Sequence, residues 1–162
     1  DKIVGHNTDI GGFEMSLIKS RFNIKNKEVF ILGAGGVVPS IIFALNKMKV
    51  SKITISNRTK DKSNSLKNLF TNLNIVDWGV IPNFDMIINA TSLGLKKEDK
   101  INLNFSLVGT NKFFYDVIYN PKATNFLKEE GLGEGIFNIT FYFFHFISPK
   151  KAVLHPQFNE IR

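Results

Sequence analysis

Glu28-Val29-Phe30-Ile31-Leu32-Gly33-Ala34-Gly35-Gly36-Val37 is the stretch on which the fold turns. After the glutamate, the residues before Gly33 are β-branched, aromatic or aliphatic, as in a strand buried on both faces of a parallel sheet. Beyond the glycines, Val38, Ile41, Ile42, Leu45 and Met48 recur at three- and four-residue spacing, which predicts a helix. Pro39 falls in its first turn, where the missing N–H breaks no bond. Strand, glycine turn and helix in this order form the dinucleotide-binding arrangement. The first glycine makes the tight turn, the second lets backbone approach a pyrophosphate, and the helix N-terminus offers free N–H groups and a positive dipole end. Gly33, Ala34, Gly35, Gly36 and Val37 are therefore the candidate phosphate loop, with a glycine-rich turn that holds no ligand as the alternative. Val38 stands at the third fingerprint position, where Gly or Ala is usual, and predicts a wider helix–strand contact.

Working outward, Ile53-Thr54-Ile55 is a second strand closed by Ser56-Asn57-Arg58-Thr59, and a polar helix over about 61–70 completes a βαβ unit. Ile75-Val76, Asp85-Met86-Ile87-Ile88-Asn89 and Phe113-Phe114-Tyr115-Asp116-Val117 read as three more strands. Ahead of the first strand, Phe13, Leu17 and Ile18 share one helical face, so a helix is expected over about 9–22. The pattern predicts an α/β fold, a Rossmann-type doubly wound parallel sheet with flanking helices and right-handed crossovers. Residues 1–24 read as an inter-lobe segment and connecting helix, 25–130 as the Rossmann domain and 131–162 as a tail. Within the tail, the aromatic run 137–146 suits a core helix or a buried strand, or a face turned toward another lobe.

Composition narrows the function classes. A chain of 162 residues with 43% hydrophobic and 22% charged residues suits one globular domain. Cysteine is absent, which removes disulfides, thiolate chemistry and Cys-based zinc sites, and His6, His145 and His155 lack the spacing of a helical metal site. The net charge of +7 comes from lysines dispersed along the chain, without a basic stripe interleaved with aromatics, so nucleic acid is not the expected partner. The longest apolar run, 136–147, is interrupted by Asn138, Thr140 and His145 and is too short to span a bilayer, and no signal peptide is evident, so a cytoplasmic location is expected. The chain opens at Asp1 directly on a polar motif, which reads as part of a longer protein.

The end of the second strand bears on the cofactor. An NAD site places an acid there for the ribose 2′-hydroxyl, whereas a 2′-phosphate would be repelled by it and is better met by Arg. Here the residues are Asn57-Arg58-Thr59. Arg58 offers a forked contact to phosphate and a plane to stack on adenine, Asn57 and Thr59 offer amide and hydroxyl donors, and Lys62 adds charge one turn on. NADP(H) is the expected cofactor.

The motifs, taken together, resemble the shikimate dehydrogenase family. Gly5-His6-Asn7-Thr8-Asp9-Ile10-Gly11-Gly12-Phe13 is similar to that family's Gly-x-Asn-Thr-Asp-x-x-Gly-Phe, and Gly33 to Val37 to its phosphate loop. Asn57-Arg58-Thr59-x-x-Lys62, Asn89-Ala90-Thr91-Ser92-x-Gly94 and Tyr115-Asp116-Val117-Ile118-Tyr119-Asn120-Pro121-x-x-Thr124 follow in the family's order. The resemblance covers about residues 3–128. It implies reduction of 3-dehydroshikimate to shikimate with NADPH, with Asp9 catalytic and at the substrate beside a lysine from an N-terminal lobe. It also implies that Val117 packs near the nicotinamide and that Tyr119 reaches substrate. Asp9 as a helix N-cap, Val117 as core and Tyr119 as a half-buried packing residue are the alternatives from the residues themselves. Thr91 and Ser92, after a strand end, either face the cofactor ribose or form an ordinary polar turn.

At the other end the likeness stops. Gly131-Leu132-Gly133 imitates the start of the family's Gly-x-Gly-Met-Leu-x-x-Gln-Ala, but the Met-Leu pair is missing and the glutamine role passes to neither Asn138 nor Gln157. The other readings are a quinate/shikimate dehydrogenase, which often prefers NAD and carries an acid where this chain has Arg58, and a non-catalytic nucleotide-binding module.

Overall fold

A computed structural model describes residues 7–105, 108–121, 124–128 and 138–140. Its elements in chain order are α1 (Thr8–Lys19), β1 (Glu28–Leu32), α2 (Val38–Lys47), β2 (Lys52–Ser56), α3 (Lys60–Leu69), β3 (Leu73–Val76), β4 (Met86–Asn89), β5 (Phe113–Asp116), α4 (Asn125–Lys128) and β6 (Asn138–Thr140). The six strands stand in the order β3-β2-β1-β4-β5-β6, and every neighbouring pair is parallel. The chain winds outward from β1 to β3, then returns to the other side of β1 with β4, which makes the β1–β4 gap the topological switch point of a Rossmann sheet. The expected strands are all present, and β6 adds one from within the segment set apart as a tail. The rest of the aromatic run, Gly131 to Gly133 and Gln157 lie outside the described residues.

Alternation along the strands sorts the core into two layers. Val29, Ile31, Ile53, Ile55, Met86, Ile88, Phe113 and Tyr115 point to the face covered by Phe13 and Leu17 of α1, Ile41 and Leu45 of α2 and Leu66 of α3. Phe30, Leu32, Ile87 and Phe114 point to the other, where Phe84, Ile101 and Phe105 join Phe126 and Leu127 of α4. The helices are thus concentrated on one face. The irregular segments 77–85, 90–105 and 108–112 cover much of the second, and Gly79, Pro82 and the Lys96 to Lys100 charge run explain why they show no helical period. Val38, the departure from the glycine fingerprint, is fully buried in the first layer.

Helix α1 is fastened to both its neighbours. Phe13 meets Tyr115 edge-on at 5.2 Å between ring centres and Phe22 stacks on Phe113 at 4.3 Å. The Ser16 and Tyr115 hydroxyls are 2.9 Å apart in the core, and Lys47 of α2 pairs with Glu14 at 2.9 Å. The helix stops at Lys19, short of the expected residue 22, because the Ser20 hydroxyl donates to the Leu17 carbonyl and accepts from the Phe22 amide while Arg21 turns left-handed at φ 58°. Strand β4 likewise starts one residue later than expected. The Asp85 carboxylate accepts from the Glu28 amide at 2.9 Å and from Lys27 Nζ at 3.4 Å, which ties the amino ends of β1 and β4 together.

One glycine of the turn is demanded by the fold itself. Gly33 sits at φ +105°, and a Cβ there would lie 2.6 Å from the Ala90 carbonyl oxygen. At Gly36 an added Cβ would meet nothing within 4 Å. Gly33→Ala is therefore expected to lower stability by about 2 kcal/mol or more, through a left-handed backbone and a clash with backbone. Gly36→Ala is expected to stay within about 0.5 kcal/mol. The midpoints of urea denaturation distinguish the two.

Candidate functional site

Parallel register carries the predicted residues to one edge of the sheet. Leu32 stands opposite both Ser56 and Asn89, and Asn89 opposite Asp116. The glycine turn, Asn57 to Thr59, Ala90 to Gly94 and Val117 to Tyr119 therefore emerge side by side at the carboxyl ends of the strands. The turn is pinned from both sides, since the Gly33 amide donates to Ser56 O and the Ala90 amide to Leu32 O, each at 2.8 Å.

Beyond Gly33 the turn opens to solvent. Gly35 and Gly36 are exposed, and the nearest atom to a Cβ built on Gly35 is Ala90 O at 3.8 Å. The protein's own packing does not call for glycine at either position. Val37 is the N-cap of α2; no side chain caps the helix and no acid stands in its first turn. The mouth of α2 thus keeps its positive end without a side-chain counter-charge. Ala34 and Val37 are half-buried and pack against the first core layer.

The Asn57 to Lys62 segment is set by its own hydrogen bonds. Asn57 Nδ2 donates to the Thr59 carbonyl at 2.7 Å, and Thr59 is the N-cap of α3 without a side-chain capping bond. Arg58, Thr59 and Lys62 are exposed, and neither Arg58 nor Lys62 forms an ion pair among the described residues. Lys60 is engaged instead, 2.8 Å from Asp77, whose hydrogen bond and charge raise the Lys60 pKa.

On the other side of the turn lies a buried polar clasp. Asn89 Nδ2 donates to both oxygens of Asp116 at 3.2 Å and to the Leu93 carbonyl at 3.0 Å. The Ile118 amide donates to Asp116 Oδ1 at 2.9 Å and Thr124 Oγ1 to Asp116 Oδ2 at 2.5 Å. Burial pushes the Asp116 carboxyl pKa up, and the bonds from Thr124, Ile118 and Asn89 pull it back. Thr91 is part of the same framework. Its hydroxyl donates to Asn89 Oδ1 at 2.7 Å and accepts from the Leu93 amide at 3.0 Å, whereas Ser92 is exposed. The polar-turn alternative thus accounts for the Thr91 hydroxyl. Val117 is partly buried against the first core layer and Tyr119 is 52% exposed.

Asp9 lies in the first turn of α1, and its carboxylate makes no ion pair among the described residues. The N-cap is Asn7, which rules out the alternative reading of Asp9 as the cap: Asn7 Oδ1 accepts from the Asp9 and Ile10 amides at 3.0 and 3.4 Å. The spacing explains the difference, because a cap reaches the amides two and three residues on. Asn7 Nδ2 meanwhile donates to Ser40 Oγ in the first turn of α2 at 3.0 Å, joining the Asp9 turn to the helix behind the glycines. Gly5 and His6 of the same motif lie outside the described residues.

Sequence reasoning did not single out the roles of Asn7, Ser40, Asn89, Asp116 and Thr124. A signal existed for one of them, since Asp116 ends an otherwise apolar strand and a carboxylate there needs partners. Among the described residues no group of three or more His, Cys, Asp or Glu is placed to hold a metal. Nor is any helix there long and apolar enough to cross a membrane. A cavity of about 510 Å³ lies elsewhere, between Gly79 to Phe84 on one side and Asn104, Val108, Gly109 and Lys112 on the other, toward the amino ends of β4 and β5. Among the described residues Lys112 is the one ionisable side chain in its lining, and its Nζ donates to the Phe84 carbonyl.

Fold and site define a Rossmann-type α/β domain with an open glycine turn at its switch point. The sequence pattern of the family described as Shikimate / quinate 5-dehydrogenase matches residues 16–101, over half of the chain, and the chain belongs to that family. It is 59% identical over 128 residues to the shikimate dehydrogenase (NADP(+)) of Pelagibacter ubique, a match that takes in 79% of this chain and 48% of the relative. Among solved structures, shikimate dehydrogenase from Aquifex aeolicus superposes with a TM-score of 0.70 at 36% identity, over 83% of this chain and 50% of that one. The ligand-free 5-ketofructose reductase of Gluconobacter gives 0.76 at 32% identity, over 85% and 53%. The chain thus spans about half the length of the curated relatives it matches.

Loss of the α1 cap tests the local reading of Asn7. Asn7→Ala is expected to lower stability by about 1 kcal/mol and to speed hydrogen exchange at the Asp9 and Ile10 amides, with the amides of β1 unchanged. Exchange followed by NMR checks both.

Proposed function

We propose that this chain is the cofactor-binding half of an NADP(H)-dependent shikimate dehydrogenase, which reduces 3-dehydroshikimate to shikimate. The observation that carries the reading is the open cradle at Gly35 and Gly36 beside Arg58 and Lys62, with no acid at the end of β2. A cradle that the protein does not fill fits a pyrophosphate, and two free cations at the adjoining strand end fit a 2′-phosphate. An NAD-preferring quinate/shikimate dehydrogenase would place a carboxylate where Arg58 stands.

The chain's own residues divide the work. The backbone of Gly33 to Val37 and the first amides of α2 hold the pyrophosphate against the switch point. Arg58 and Lys62 pair with the 2′-phosphate, Arg58 stacks on the adenine, and Asn57 and Thr59 shape the turn that presents them. Ser92 offers its exposed hydroxyl to a ribose, while Thr91 acts through the loop it braces. Val117 walls the nicotinamide and Tyr119 reaches the substrate. When bound, the nicotinamide supplies the hydride that reduces the substrate carbonyl. Asp9 binds substrate at the start of α1 and orients a lysine from an N-terminal lobe, which delivers the accompanying proton.

Calorimetric titration tests the cofactor assignment. NADPH is expected to bind more tightly than NADH, and Arg58→Ala to weaken NADPH by about 1.5–3 kcal/mol, the value of a hydrogen bond to a charged group, with little change for NADH. Equal affinities would overturn the assignment. Gly35→Val is expected to abolish binding with the circular dichroism spectrum preserved, because the space it fills is open in the protein.

Turnover tests the reaction. Residues 1–162 alone are expected to bind cofactor without reducing 3-dehydroshikimate, since hydride transfer needs both partners held and aligned. The full polypeptide is expected to turn over, and Asp9→Asn in it to lower kcat by about 10²-fold or more. Turnover by residues 1–162 alone would contradict the half-site reading.

A further inference from the structure

We infer that Asp116 is a positioning residue of this site: with Asn89 and Thr124 it closes a buried clasp that fixes how Val117 and Tyr119 leave the carboxyl edge of the sheet, one strand along from the switch point. The kinetic part of this inference rests on the dehydrogenase reading above; the geometric part stands on the structure alone.

The clasp joins three stretches of chain that sequence keeps apart. Asn89 ends β4, Asp116 ends β5 and Thr124 lies beyond the turn at Pro121. Asn89 and Asp116 are fully buried and Thr124 is 1% exposed. The bond from the Ile118 amide back to Asp116 Oδ1 is an Asx turn, and it decides the direction in which the chain leaves the sheet. Tyr119 is the next residue, so its course over the edge follows from that one acceptor. The second oxygen takes the Thr124 hydroxyl, which draws the far side of the turn down onto the clasp. Gly94 completes the fit. At φ +123° a Cβ on it would lie 3.1 Å from Thr124 Cγ2, so the loop after β4 and the turn after β5 are packed face to face.

Stability is a poor reason for this arrangement. A buried carboxylate carries a desolvation penalty, and apolar residues of similar volume often serve a core as well or better. What a fully bonded polar network supplies is a single geometry. It stands at the carboxyl edge of the sheet, beside the turn pinned by Gly33 and Ala90, where a displacement of about 1 Å can cost on the order of 10²-fold in rate.

The test uses Thr124→Val, Thr124→Ser and Asp116→Asn in the full polypeptide. Valine keeps the shape of threonine without its hydroxyl; serine keeps the hydroxyl. Thr124→Val is expected to lower kcat for 3-dehydroshikimate about tenfold or more while KM for NADPH changes by less than about twofold. Asp116→Asn sets an amide donor against the donors it must accept and is expected to lower kcat further, and Thr124→Ser to remain near wild type. In the absence of cofactor, Thr124→Val is also expected to speed hydrogen exchange at the Leu93, Val117 and Ile118 amides, with Ile31 and Ile55 unaffected. Wild-type kcat in Thr124→Val, or equal losses in the Ser and Val variants, would overturn the positioning role. Should the unaltered polypeptide fail to reduce 3-dehydroshikimate, the dehydrogenase reading falls, and the exchange data decide the clasp alone. Uniform acceleration across the sheet would then overturn it, and acceleration confined to the three amides would support it.

Discussion

The structure depends on the contact between Gly33 and the chain leaving β4. Leu32 is the shared partner of Ser56 and Asn89, and two backbone bonds continue that register past the strand ends, Gly33 to Ser56 and Ala90 to Leu32. The approach leaves no room for a side chain, since a Cβ on Gly33 would fall 2.6 Å from the Ala90 carbonyl oxygen. Closeness at this point is what lets a turn after β1, a loop after β4 and a turn after β2 share one small area. With the register shifted by one residue, inward and outward side chains would exchange places along the strands and the two core layers would dissolve.

Around that contact the two sides of the sheet edge are built differently. Toward β2 the chain relies on a short turn and a helix start, with cations left exposed. Toward β5 it relies on buried hydrogen bonds through Asn89, Asp116 and Thr124. On the proposed reading the difference suits the partners each side would meet. A phosphate is recognised by charge and forked donors that adjust to it, whereas a reacting ring and carbonyl require fixed walls. Helix α1 supplies the third element, brought to the same edge by Asn7 and Ser40 and held against the sheet by Phe13, Ser16 and Glu14.

Much of this was legible in the sequence, for reasons that can be named. Residues 28–48 carry two clear periods and a glycine turn between them, so β1, the turn and α2 were readable from local rules alone. The place of Arg58 just past β2 was readable because Ile53-Thr54-Ile55 gives way directly to the polar run Ser56-Asn57-Arg58-Thr59. The end of α1 was not, because the Ser20 hydroxyl competes with the backbone for its own bonds, and apolar spacing says nothing of that. Asn7 was passed over for Asp9 although the capping rule counts from the residue before the first turn. The clasp was hidden for a different reason: Asn89 and Asp116 stand side by side only once β4 and β5 are paired, and no local pattern announces which strands are neighbours. Strand β6 lies in an aromatic run without alternation, which gave helix and strand equal claim.

Charge at the β2 end of the edge follows from the same geometry. Asp77 comes directly after β3, and Val76 is the partner of Ser56, whose hydroxyl donates to the Asp77 carbonyl at 3.1 Å. A carboxylate is thereby brought next to the turn that carries Arg58. Left alone, it would oppose any second negative group arriving there, by roughly 1 kcal/mol at 4 Å in water and more in a less polar setting. Lys60 stands 2.8 Å from it. Both partners are exposed, with 71% and 67% of their side chains in solvent, so the pair adds little to stability. Its effect is local neutralisation. Lys60 spends its charge on Asp77, and the charges of Arg58 and Lys62 remain available to a phosphate at the end of β2. On the proposed reading the three basic residues in these five positions divide into one that neutralises Asp77 and two that meet a phosphate, a division that apolar spacing and charge count leave open.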